Sequence, residues 1–165
     1  MKIGNMSVWN AANKIPRIYG ILIASGFIAF FFAMYLVGLV HTTELRLLNL
    51  FIILPGVYFA LKQYQKTHRG HMDYFHAFTT GMGTAAIGST AFGLFLLVYL
   101  HIDKSLMQSI AEQEPLGFYL NPYIASFIVF LEGLFSGLFV TFLLSNFLAA
   151  RTPANPMRDN SEIIQ

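Results

Sequence analysis

Cysteine is absent from this chain of 165 residues, which excludes disulfides, thiolate metal sites and cysteine nucleophiles. Charged residues are also scarce, because Asp, Glu, Lys and Arg together make up 11% of the sequence, whereas a soluble domain carries about 25%. The chain therefore has too few charges to cover the surface of a soluble domain. Hydrophobic residues make up 56%, and they are grouped in long blocks of the kind that crosses a lipid bilayer.

Four apolar blocks predict four transmembrane helices. The first is uncharged and long enough to cross a hydrocarbon core of about 30 Å at about 1.5 Å per residue. The second is shorter than the others. We therefore expect one membrane domain over residues 1–165, an all-α bundle of four transmembrane helices with a cytoplasmic tail. The predicted spans cover residues 18–40, 45–61, 74–100 and 123–150, and the tail covers residues 151–165.

The placement of Lys and Arg predicts the orientation of these spans. Eight of these residues lie before the first span, between the second and third, or in the tail, and only two lie elsewhere, one at the edge of the second span next to the first connection and one in the third connection. Basic residues concentrate in cytoplasmic loops, so both termini are predicted to be cytoplasmic. The eight are Lys2, Lys14, Arg17, Lys62, Lys66, Arg69, Arg151 and Arg158, and the two are Arg46 and Lys104.

The connection before the last span has helical features of its own. Leu106, Met107 and Ile110 recur at helical spacing, which predicts a short amphipathic helix on the outer membrane surface. Asn121 precedes Pro122 at the start of the last span, and these residue types favour an N-cap followed by a first helical turn.

Small side chains recur every four residues in the third and fourth predicted spans. Helices in lipid associate through close packing at such residues, because apolar side chains gain little by leaving lipid. Each series forms a shallow groove that either packs against other helices of the chain or faces a partner subunit or a second copy. The residues are Gly81, Ala85, Ser89 and Gly93 in the third span, and Gly133, Gly137, Thr141 and Ser145 in the fourth.

Glu132 is the one ionisable residue well inside a predicted span. A carboxylate at that depth is costly unless it is paired, hydrated or protonated, so we expect it to face the bundle, a water-filled cleft or a partner. Ser136 lies one turn further along, and Asn49 lies at a comparable depth in the second span. These three residues form a predicted intramembrane polar site. Its role is a structural clasp, a proton or cation site, or an interface with another protein.

Other candidate sites in the sequence are weaker. His68, His71 and His76 cluster with Asp73, but they match no recognised metal-ligand pattern. A histidine pair that could hold haem, His41 and His101, lies at the ends of predicted spans rather than inside them. No catalytic motif, phosphate-binding loop or dinucleotide fingerprint is found. No catalytic residue, metal or cofactor is therefore predicted.

The plan of the chain resembles a family of small, uncharacterised bacterial membrane proteins with four helices, known only as a domain of unknown function. The resemblance lies in residues 60–66 (ALKQYQK), the polar turn at residues 69–71 (RGH), residues 72–81 (MDYFHAFTTG) at the start of the third span, and the amphipathic segment of residues 105–114. It implies a four-helix membrane fold in a bacterial inner membrane. The family has no established activity, so no functional residue is implied.

Two functions follow as hypotheses. The first is a non-enzymatic subunit or scaffold of an inner-membrane assembly, whose partners are the lipid bilayer and other membrane subunits or further copies of the chain, without nucleic acid. The alternative is a small oligomeric transporter, or an ion- or proton-conducting protein, that uses Glu132. An intramembrane enzyme or redox subunit is a weaker third hypothesis.

Overall fold

The computed structural model of the chain describes residues 4–38, 48–67, 74–114 and 116–150. All regular structure in these residues is helical, which confirms the all-α class. One 3-10 turn, Gly117–Tyr119, lies between the last two of five α-helices. The α-helices are α1 (Gly4–Val37), α2 (Asn49–Thr67), α3 (Tyr74–Ile102), α4 (Lys104–Gln113) and α5 (Pro122–Ala150).

Three helices in the described part of the chain are long and apolar enough to cross a membrane. They are the Lys14–Val37 part of α1, the whole of α3, and Pro122–Leu148 in α5. Of the four predicted spans, three therefore correspond to helices that are long and apolar enough to cross a membrane. The remaining predicted span corresponds to α2, whose last two turns carry Lys62 and Lys66 and are therefore polar.

The start and end of α1 and the end of α2 differ from the predicted boundaries. α1 begins at Gly4, well before the apolar block, and ends at Gly38, where φ is 74°. The Gly38 N–H donates to the Tyr35 carbonyl at 3.1 Å, so this left-handed glycine ends the helix. α2 continues beyond residue 61 to Thr67, because lysine and glutamine are good helix formers outside an apolar setting.

The long helices pack as a bundle around α3, which makes its most extensive contacts with α5 and α1. α2 contacts α1, α3 and α5, and it buries a continuous stripe of residues 53, 56, 57, 60, 61 and 64. Large apolar side chains also cover the outside of the bundle. On α5 these are Ile124, Phe127, Ile128, Phe135, Leu138, Phe139, Phe142, Leu143 and Phe147. Such an outer surface and three long apolar helices indicate a membrane protein.

The helix predicted before the last span is present as α4. Asp103 caps its N-terminus, since the Asp103 carboxylate accepts from the Leu106 N–H at 3.0 Å and from the Ser105 hydroxyl at 2.6 Å. These bonds, that from Ser105 first, hold the pKa of the Asp103 carboxyl below its usual range. Leu106 and Met107 are buried against the end of α3. The predicted cap of α5 is also confirmed, because the Ile124 N–H donates to Asn121 Oδ1 at 2.9 Å.

Candidate functional site

The structure brings the two series of small residues together at the contact between α3 and α5, which run antiparallel. A Cβ added at Gly133 would lie 2.6 Å from Ser89 Oγ, and one added at Gly137 would overlap the Ala85 side chain. These separations are shorter than any ordinary contact between side chains, so the two backbones approach each other closely along this interface.

The same contact continues toward both ends of α3. A Cβ added at Gly81 would lie 2.6 Å from Thr141 Cγ2, and one added at Gly93 would lie 3.1 Å from Phe130 Cβ. Ser145, the last member of the series on α5, is fully buried. Both series are therefore in contact with each other inside the chain.

The three residues of the predicted polar site line a single small cavity inside the bundle. Asn49 comes from the first turn of α2, while Glu132 and Ser136 lie one turn apart on α5. Phe27 of α1 and Phe92 of α3 are also part of its wall, and their ring centroids lie 5.2 Å apart. The cavity thus brings a carboxyl, an amide and a hydroxyl together beside a layer of buried aromatic rings.

Ser89 of α3 adds a second hydroxyl to this cavity. Its side chain is only 2% exposed, and Ser89 Oγ has no hydrogen-bond partner among the described residues. Thr84 Oγ1, by contrast, bonds to the Thr80 carbonyl of its own helix at 2.7 Å, whereas Thr141 Oγ1 and Ser145 Oγ are, like Ser89 Oγ, without a partner among the described residues. A buried hydroxyl without a partner costs about 1–3 kcal/mol, so Ser89 Oγ is a strong site for a water molecule.

The size of the cavity limits what it can hold. Its volume is about 10 Å³, which is about the space that the centre of one water molecule requires. The polar lining of the cavity provides hydrogen-bonding groups for such a water. The arrangement can therefore hold a single water beside the carboxyl of Glu132.

Sequence reasoning assigned Ser89 only to helix packing and missed that it belongs to the polar cavity. The signal was present, because Ser89 is the one hydroxyl in its small-residue series. The sequence does not show that Ser89 packs against Gly133. This contact places Ser89 beside Glu132, the residue that precedes Gly133.

The histidines give no metal site in the described part of the chain. No group of three or more His, Asp or Glu residues there could hold a metal ion. His76 instead stacks on Tyr64, with ring centroids 6.5 Å apart. His101 hydrogen-bonds through Nδ1 to the Leu97 carbonyl at 2.8 Å. The other candidate ligands, at positions 41, 68, 71 and 73, lie outside the described residues.

Comparisons with known proteins give one match. No match was found among curated proteins or among solved structures. A family profile described as "Protein of unknown function (DUF4199)" matches residues 18–151. This range begins in α1, includes all of α2, α3 and α4, and continues through the end of α5. The chain therefore belongs to the family described as Protein of unknown function (DUF4199).

Proposed function

We propose that this protein is a non-enzymatic, multi-pass protein of the bacterial inner membrane that serves as a subunit or scaffold of a membrane assembly. The observation that carries the proposal is the small polar cavity of Asn49, Ser89, Glu132 and Ser136. Its residues come from three helices and surround the space of about one water. Such a site suits a clasp that fixes the helices relative to one another, since it offers neither a substrate cavity nor an ion path.

The proposal includes four membrane crossings, with α2 as the second, and both termini in the cytoplasm. In its favour, residues 49–61 of α2 carry no charge and extend over about 20 Å of the core thickness of about 30 Å. The stripe that α2 buries against the other long helices also favours a position inside the bundle. The division of Lys and Arg between the connections requires an even number of crossings between the basic segments.

A second candidate function is proton exchange at Glu132. The observation in its favour is the hydroxyl of Ser89, which borders the same cavity without a hydrogen-bond partner among the described residues. A water held there would give the carboxyl of Glu132 a neighbour able to accept or donate a proton. In this alternative, the cavity is one stage of a pathway that opens in another conformation.

Substitutions at Glu132 separate the two candidates. Glu132→Gln keeps the size and hydrogen bonding of the side chain, so a clasp predicts an unchanged unfolding temperature and an unchanged assembly size in mild detergent. Glu132→Ala should destabilise the bundle by about 1–3 kcal/mol, because it leaves buried polar groups without their partner. The unfolding transition followed by circular dichroism measures both variants. Proton flux in proteoliposomes that disappears in Glu132→Gln at unchanged stability would support the second candidate against the first.

The water in the cavity can be tested with a matched pair of hydroxyl deletions. Ser89 Oγ and Thr141 Oγ1 are both buried without a hydrogen-bond partner among the described residues, but only Ser89 lines the cavity. Ser89→Ala should lower stability if a water joins Ser89 to the polar site, whereas Thr141→Val should not. Equal effects of the two substitutions would show that Ser89 takes no part in the clasp.

The subunit role itself is tested by purification of the tagged full-length chain in mild detergent. We expect a stable complex of defined composition that contains other membrane proteins. A homogeneous oligomer of this chain alone, in native mass spectrometry of the same preparation, would contradict the role as a subunit of a larger assembly.

A further inference from the structure

A second cavity, much larger than the polar one, lies where α3 ends, α4 crosses it and α5 begins. Its volume is about 350 Å³, within the range of about 300–1,000 Å³ that is usual for small-molecule sites. Leu100, Met107 and Leu120 contribute apolar walls, and Leu100 and Met107 are buried. Such walls suit a hydrocarbon chain.

The polar side chains of Lys104 and Gln108 complete the lining of this second cavity, and none of its lining residues is acidic. Lys104 begins α4, and Gln108 follows it one turn later on the same helix face. The Gln108 amide nitrogen donates to Glu112 at 2.9 Å. Among the residues that line the pocket, Lys104 is the one that carries a positive charge. Glu112 lies about 12 Å further along the helix axis from Lys104. The Lys104 end of the pocket is thus the end suited to an anion.

His101 contributes a second nitrogen group to the same end. Because the Leu97 carbonyl can only accept, the hydrogen bond of 2.8 Å identifies His101 Nδ1 as the protonated nitrogen. Nε2 is then the acceptor of the ring, and it is left to receive a hydrogen bond from a hydroxyl of a ligand. The ring is held edge-on to Tyr123, with centroids 4.9 Å apart, so its orientation is fixed.

The position of the pocket identifies the source of its ligand. The pocket lies between the C-terminus of one apolar helix, α3, and the N-terminus of another, α5. Next to it, Ile102, Leu116, Phe118 and Tyr119 are highly exposed, Phe118 to 94%. Exposed aromatic residues at helix ends are typical of the boundary between hydrocarbon and head groups. A lipid in that boundary would meet the pocket with its chain and its head group already oriented.

We propose that this pocket binds an anionic phospholipid of the surrounding bilayer, with part of an acyl chain between Leu100, Met107 and Leu120, the head-group phosphate on Lys104 and a head-group hydroxyl donating to His101 Nε2. The proposal rests on the membrane character of the chain and not on its role as a subunit, so the two proposals can fail independently. A lipid bound here would join α4 to the ends of α3 and α5, and its release would free α4.

Native mass spectrometry of the full-length protein tests this site. The protein is exchanged into detergent with equal amounts of phosphatidylglycerol and phosphatidylcholine, and the retained lipids are counted. Wild type should retain phosphatidylglycerol in preference. Lys104→Gln should weaken that retention about fivefold, the effect of about one lysine charge near a lipid surface. Lys66→Gln removes the same charge from an exposed position on α2 and should retain the lipid as wild type does.

Three outcomes would overturn the proposal. The first is equal retention of the two lipids by wild type, and the second is equal loss of phosphatidylglycerol from Lys104→Gln and Lys66→Gln. The third is displacement of the lipid by glycerol phosphate, which carries the anion without a chain. That result would assign the site to a free phosphate and leave the apolar walls without a role. Unchanged helix content in Lys104→Gln ensures that the comparison is between folded proteins.

Discussion

The contact between Gly137 and Ala85 gives the most direct test of how α3 and α5 pack. In Gly137→Ala, the new methyl group would overlap the Ala85 side chain, so the helices would have to separate by roughly an ångström or more to reach ordinary contact. Overpacking of this kind costs about 1–3 kcal/mol, whereas replacing a helical glycine with alanine returns about 0.5–1 kcal/mol. We therefore expect a net destabilisation of about 1–2 kcal/mol.

Gly83 on α3 offers the matched control. A Cβ added there would lie 3.6 Å from Pro16 Cβ, which is an ordinary contact. Gly83→Ala should therefore keep the gain in helix propensity without the clash, and its stability should equal or exceed that of wild type by up to about 1 kcal/mol. Both variants are measured by reversible unfolding in mixed detergent micelles, with helicity as the signal.

A double substitution makes the test specific to this pair of residues. Ala85→Gly removes the methyl group that Gly137→Ala would meet, so the double variant moves one methyl group from α3 to α5. The two changes should compensate, with a coupling free energy of about 1–2 kcal/mol. Equal stability of Gly137→Ala and Gly83→Ala, or simple additivity in the double variant, would refute the close approach of α3 and α5 at this point.

Two further predictions concern the cap of α4 and the orientation of the chain in the membrane. Because hydrogen bonds lower the pKa of Asp103, its contribution to α4 should be complete above about pH 4, the unfolded value, and lost as pH falls through the lower folded pKa. Hydrogen exchange at the Leu106 amide, corrected for its intrinsic rate, should follow that loss in wild type and not in Asp103→Asn. Topology reporters placed after Gln165 and within residues 62–73 should read as cytoplasmic, and one within residues 105–114 as external. An external signal from residues 62–73 would contradict a crossing by α2.

The parts of the fold that the sequence predicts are those set by local chemistry. Long apolar runs identify α3 and α5, and Asn121 before Pro122 predicts the start of α5, because a cap depends on neighbouring residues only. The start of α1 is missed, because its first turns precede the apolar run. The end of α2 is missed because a helix can continue beyond its apolar part when its polar residues are good helix formers.

The cavities depend on contacts that local chemistry does not determine. The sequence places Glu132, Ser136 and Asn49 at comparable depth, and the structure adds Ser89 because α5 lies against α3 at Gly133. The larger pocket at Lys104 is harder to predict, since it forms only when the connection between α3 and α5 folds back over the end of α3. Spacing alone shows that α4 is amphipathic, but it does not show which surface its apolar face covers.

The small residues on α3 and α5 repeat every four positions, and this regularity leaves the contact with more than one solution. A slip of one helical turn, about 6 Å, would bring Ser89 opposite Gly137 and Ala85 opposite Thr141, so small side chains would still meet small side chains. Close packing therefore discriminates poorly between the two alignments. The polar cavity does discriminate, because the slip would carry Glu132 away from Ser89. In the clasp proposed above, the carboxyl of Glu132 would therefore favour one register of a repeating interface.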